Sequence, residues 1–159
     1  MTPFFRRFLF LLVALALFAS PVFAADLSVT AANVVPSSQA HYVNGTAGAT
    51  ITAGQLCYFD SVSSTYKLAS ANASAATAAV AGIAVGGASA NQPVTLVTYD
   101  PALAIGATVA AGSVYIVSAN AGMIAPNADS ASGWYVSVVC VAGNSNKVFF
   151  SIVSAGVPK

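Results

Sequence analysis

The feature that most constrains this chain is the rhythm of its apolar residues. From residue 25 onward they come in short runs that alternate with small polar residues, and each run is cut by Gly, Pro, Asn or Ser. "PVTLVTY", "SVYIVS" and "YVSVVCVA" alternate with period two, the pattern of strands with one buried face. Such runs fall at 27–30, 49–52, 55–60, 66–69, 80–86, 93–99, 108–110, 113–118, 123–125, 134–142 and 147–153. Short strands with turn signals every 8 to 12 residues or so belong to sandwiches and barrels rather than to βαβ units. The expected fold is all-β, a compact β-barrel or β-sandwich of short antiparallel strands.

The punctuation between the runs has its own chemistry. Asn44-Gly45 is expected to supply the positive φ values of a tight hairpin turn. "AGNSNK" reads as the hairpin loop between the last two strands, with Gly143 and Asn144 in left-handed geometry. Pro93 stands at a strand start, where a missing N–H does least harm. The Ala-rich segment 69–82 has good helix formers, but its Ser, Thr and Asn compete for the backbone, so a loop or a single helical turn is expected. Two phrases resemble each other, "AGATITAGQLCYFD" (47–60) and "IGATVAAGSVYIVS" (105–118). Both predict a strand, an Ala-Gly turn and a second strand, either as a duplicated hairpin or as two similar turns.

The first 24 residues are of another kind. Arg6 and Arg7 precede an apolar run from Phe8 to Ala19, then Pro21 and the A-x-A-like Val22-Phe23-Ala24. This is the grammar of a secretory signal peptide, with a retained anchor as the alternative, and an apolar helix is expected there. The run is shorter than the roughly 20 residues that an ordinary spanning helix needs. Residues 25–159 then form a single β domain.

Charge excludes whole classes of function. Residues 25–159 carry Lys67, Lys147 and Lys159 against Asp26, Asp60, Asp100 and Asp129, with no Glu or Arg. Nucleic-acid binding needs a basic stripe that releases counterions, and none is present. Membrane contact is expected only through residues 1–24, and only if they are uncleaved. A surface so poor in charge lacks the usual protection against association. Either partners cover much of it, or Ser, Thr and Asn keep it soluble.

Catalytic patterns are equally sparse. Gly82 and Gly87 have the spacing of phosphate-loop glycines, but Ala88 stands where the Lys is required, and no basic residue lies between Lys67 and Lys147. His41 is the single histidine, placed by "SSQAHYVNG" in a loop, and no G-x-S-x-G elbow occurs. Each Asp is read as a turn residue or, for Asp26, as lying near the start of the domain: Asp60-Ser61, Asp100-Pro101, Asp129-Ser130. Trp134 and the scattered tyrosines suit core or inter-subunit filling better than a sugar platform. No catalytic, cofactor-binding or metal-ligating residues are expected. Cys57 and Cys140 are the two cysteines; an even count in an exported chain points to a disulfide, while their apolar flanks suit two unpaired buried thiols.

In order along the chain, "GIAVGGASANQPV", "IGATVAAGSVYIVSANAGMIAP", "SGWYVSVVCVAG" and "SIVSAGV" resemble the small capsid decoration (cement) or head-fibre proteins of tailed bacteriophages. The likeness spans roughly 55–157, with Gly82, Gly86, Gly87 and Pro93 marking a junction between two strands. It implies a compact β-barrel or β-sandwich, trimeric, that binds an outer capsid surface and stabilises the shell, with no catalytic residues. The virion surface is the location it implies. The signal-like segment departs from that pattern, because cement proteins assemble in the cytoplasm. An exported filament, surface-layer or adhesin-type subunit of a bacterial envelope is the alternative expectation.

Overall fold

The computed structural model describes residues 25–159; the expected apolar helix and signal segment (1–24) lie outside the described residues. Among the described residues ten strands form one curled antiparallel half-barrel sheet: β1 (Val34–Val35), β2 (His41–Thr46), β3 (Leu56–Asp60), β4 (Thr65–Leu68), β5 (Val80–Ala84), β6 (Pro93–Ile105), β7 (Val114–Val117), β8 (Ile124–Pro126), β9 (Tyr135–Ala142) and β10 (Lys147–Pro158). Their order is β4-β3-β5-β6-β10-β9-β7-β8, with β1 and β2 also paired to β6. The Ala-rich segment makes one helical turn, α1 (Ala75–Ala78). Ser74 and Thr77 cap it reciprocally through side chain and backbone.

The sheet contains two copies of one β unit. In the first, Leu56 pairs Ile83, Cys57 pairs Gly82, and a bulge shifts Tyr58 onto Val80. In the second, Val114 pairs Val141, Tyr115 pairs Cys140, and a bulge shifts Ile116 onto Val138. Every residue of the first set falls on the residue 58 positions later. The same shift carries Cys57↔Leu68 and Phe59↔Tyr66 onto Tyr115↔Pro126 and Val117↔Ile124. Turn geometry follows suit: Gly54 and Gly112 have φ of 88° and 78°, Ser64 and Gly122 have 54° and 77°. Hydrogen bonds repeat too. Gly54 N–H donates to the Ala84 carbonyl as Gly112 N–H donates to that of Ala142. The resemblance between 47–60 and 105–118 thus marks a duplication that extends well beyond one hairpin.

β6 serves both units. Its first half lies between β5 and β2; its second half flanks β10, which in turn flanks β9. The first unit curls back on itself where Ala47 bridges Tyr66 and Gly48 N–H donates to the Tyr66 carbonyl at 2.7 Å. In the second unit residues 27–30 take that place: Leu27 N–H donates to Ile124 and Thr30 N–H to Gly106, both at 2.8 Å.

Several local expectations are corrected. Asn44-Gly45 is no turn; both residues lie inside β2, opposite Thr95 and Val94. A Cβ on Gly45 would strike the Tyr66 ring, so this glycine answers a tertiary contact. Asp100-Pro101 is likewise internal to a strand: β6 runs through it because the extra residue is absorbed in a bulge, Asp100 facing Phe150 and Leu103 facing Val148. Residues 27–30, 49–52 and 108–110 are not ladder strands, although Ile51 makes one bridge to Ala88. The β9–β10 hairpin is present, but neither Gly143 nor Asn144 has positive φ. Instead the Asn144 side-chain oxygen accepts from the N–H groups of Asn146 and Lys147, an Asx turn.

Two clusters form the core. The smaller joins Ala47, Ile51, Cys57, Tyr66, Ala84, Val94 and Leu96 inside the first unit. The larger joins the interior of the second unit, including Leu103, Ile105, Tyr115, Val139, Val148 and Phe150, to the outward row Leu56, Ile83 and Val97 of the first. The two units are therefore welded through one apolar cluster.

Candidate assembly surface

The side chains that could carry chemistry are dispersed, and most are committed to structure. Asp60 ends β3 and caps the following turn, accepting from Val62 N–H and the Ser63 hydroxyl, and it pairs with Lys67 at 2.6 Å. The Lys67 ammonium, then Ser63 and Val62 N–H, hold its carboxyl down at about 2. Asp100 is fully buried and accepts from Ser37 N–H at 2.7 Å, the Ser37 hydroxyl at 2.6 Å and Ala102 N–H at 2.8 Å. It staples the segment after β1 to the bulge of β6. Asp129 is buried in the 3-10 turn Asn127–Asp129, and Asp26 accepts from the Asn120 amide at 2.7 Å. An open cleft of about 440 Å³ lies between Asp26, Asn120, Asp129 and Trp134. Among the described residues no three His, Cys, Asp or Glu side chains converge as metal ligands would.

Cys57 and Cys140 do not bridge. Both thiols are free and buried, one in each core cluster, on strands separated in the sheet by β5, β6 and β10. Burial pushes each thiol up to about 12, so they behave as small hydrophobes rather than nucleophiles.

The expected junction signature divides into two kinds of residue. Gly82 is required: a Cβ there would lie 2.7 Å from the Val97 carbonyl oxygen and 2.9 Å from Leu96 Cβ. Gly86 has open space, and Gly87 meets only the Ile51 carbonyl oxygen at 3.7 Å. Pro93 opens β6 as expected, opposite Thr46. His41 is not in a loop; it begins β2, exposed, its ring 5.3 Å from that of Tyr99.

What the structure gathers in one place is an apolar row on the outer face of the second unit. Tyr99 on β6 meets Phe149 on β10 edge-to-face at 5.6 Å, Phe149 pairs Val141 on β9, and Val141 pairs Val114 on β7. Phe149 and Val141 are exposed, Tyr99 and Val114 half-buried. Lys147, two positions before Phe149, puts a charge at the rim of that face. Sequence reasoning missed this row. The signal available was "VFFS": in an alternating strand one of two adjacent phenylalanines must face outward.

Comparison with family models, with curated proteins and with solved structures returned no match.

Proposed function

We propose that the chain is a non-enzymatic structural subunit that works by self-association and by packing on a larger protein surface, as a virion decoration, cement or spike-like protein does. The observation that carries this reading is the uncovered apolar row on a molecule with almost no surface charge. Monomers rarely leave contiguous apolar faces open without a partner, and interface centres are depleted of charge and enriched in aromatics. The commitment of Asp60 and Asp100 to structural hydrogen bonds, and of both thiols to the core, supports the non-enzymatic part. The ordered likeness to capsid decoration proteins supports the virion. The signal-like segment favours the second reading, an exported filament, surface-layer or adhesin-type subunit.

The two readings separate on location. Intact-mass analysis of fractionated source material should find the chain with purified particles in fixed stoichiometry. A processed chain beginning near Ala25 at the cell surface, absent from particles, would establish the exported subunit instead. A freely soluble monomer in neither fraction would refute both.

A further inference from the structure

The internal duplication bears on what would cover the open row. The first-unit residues Leu56, Ile83 and Val97 lie side by side across β3, β5 and β6. Their counterparts in the second unit are Val114, Val141 and Phe149, across β7, β9 and β10. The inward neighbours correspond as well: Ala84 pairs Leu96, and Ala142 pairs Val148, all four buried. The two rows are thus the same face of the same unit, seen twice. In the first unit each residue of the row is 0 % exposed, sealed into the cluster that contains the second unit's interior. In the second unit Val141 is 39 % and Phe149 43 % exposed. One copy of the face is covered by another β unit of this chain; the other copy is partly open to solvent.

From this we infer that the row Val114–Val141–Phe149, extended by Tyr99, is an interface with a second copy of this chain. The interior that covers the equivalent face is itself buried in every copy, so a second copy offers its own open row, the same uncharged apolar face, for an isologous contact. The row carries no charge of its own, and Lys147 stands only at its rim, which suits a near-neutral partner with few charges better than an acidic or basic one. The inference deepens the structural-subunit reading, on which it rests, by naming the surface and the partner.

The test is sedimentation velocity over a concentration series, on protein expressed from the full chain and purified in the processed form it takes. Three proteins are compared: the wild type, the double variant Val141→Lys/Phe149→Lys, and Val157→Lys, which charges an exposed apolar residue eight positions further along β10. The wild type and V157K should associate alike. The double variant should be monomeric, its dissociation constant weakened by about a hundredfold or more, while keeping a cooperative thermal transition; its midpoint should fall, through lost association and the lost Phe149–Tyr99 ring contact. A wild type that stays monomeric overturns the inference, as does a double variant that associates like the wild type. Should the double variant fail to fold, hydrogen exchange on the diluted wild type decides: dissociation must lower amide protection around Val141 and Phe149, and loss of protection elsewhere alone refutes the interface. A monomer that still co-purifies with particles or envelope removes this interface and leaves the subunit reading standing.

Discussion

At the scale of single residues, the glycines of the junction signature separate chemistry from coincidence. Gly82→Ala places a methyl group 2.7 Å from a backbone oxygen in the sheet, and a backbone neighbour cannot move aside cheaply. Overpacking of this kind costs about 1–3 kcal/mol. Gly86→Ala meets nothing within 4 Å and has no positive φ, so it should stay within about 0.5 kcal/mol of wild type. Chemical denaturation of the two variants measures the contrast, and equal effects would contradict it. Sequence alone ranked these two glycines together, because the neighbour that distinguishes them, the Val97 carbonyl on the next strand, is brought close only by strand pairing.

The cysteines give a second test at this scale. Denatured without reductant, the chain should take up two equivalents of a thiol reagent, whereas a disulfide would leave none; native protein at pH 8 should take up neither. The pH dependence has a definite sign. Burial raises each thiol from 9.0 to about 12 in the folded state, so the unfolded chain releases protons first. The associated stability is intact below pH 9 and is lost as pH rises toward 12. A Cys57→Ala/Cys140→Ala variant should therefore lose less stability than wild type between those limits, even if the cavities lower its value at pH 7. The pairing expectation drew on compartment and an even count. The packing that keeps the thiols in separate clusters is a property of the sheet order.

At the scale of elements, strand positions and alternation were largely legible, because period-two burial is written into the sequence. β3, β4, β7, β9 and the start of β6 lie within a residue of the expected runs. The failures share one physical cause. Asn44-Gly45 and Asp100-Pro101 carry turn chemistry locally, but a Tyr66 ring over Gly45 and three donors converging on Asp100 hold them in strands. The duplication adds a prediction at this scale. Ser64 holds the left-handed position that Gly122 holds in the second unit, with φ of 54° against 77°. For a non-glycine residue that geometry costs on the order of 1 kcal/mol, so Ser64→Gly should stabilise by up to about that amount. The reverse swap, Gly122→Ser, should destabilise by at least about 1 kcal/mol, since its Cβ would also crowd Leu68 Cδ2 at 3.0 Å and Gln55 Cβ at 3.2 Å. Thermal melts of the pair test the equivalence of the two turns; a destabilised Ser64→Gly would break it.

At the scale of the whole molecule, the two units close by different means, and this sets where the fold should open first. The first unit closes through its own continuation, Ala47 and Gly48 reaching back to Tyr66. The second depends on an added segment: residues 27–30 bond to Ile124 and Gly106, and Leu27 is buried in the larger cluster. Two further contacts hold that end of the chain, Asp26 with Asn120 and Ser37 with Asp100. Deleting residues 25–30 should therefore strip protection from β8 and its partner β7 while leaving β3, β4 and β5 near their wild-type exchange rates. The mechanism is specific: both carbonyls that lose their donors, those of Ile124 and Gly106, belong to the second unit, while the first loses only the Val29 contact at Gly54 and part of the shared cluster, so the loss of stability is concentrated in one cooperative region. Hydrogen exchange read peptide by peptide makes the comparison. Uniform loss of protection across both units would show that the shared cluster, with Leu56, Ile83 and Val97 sealed against the second unit, couples them too tightly to open separately.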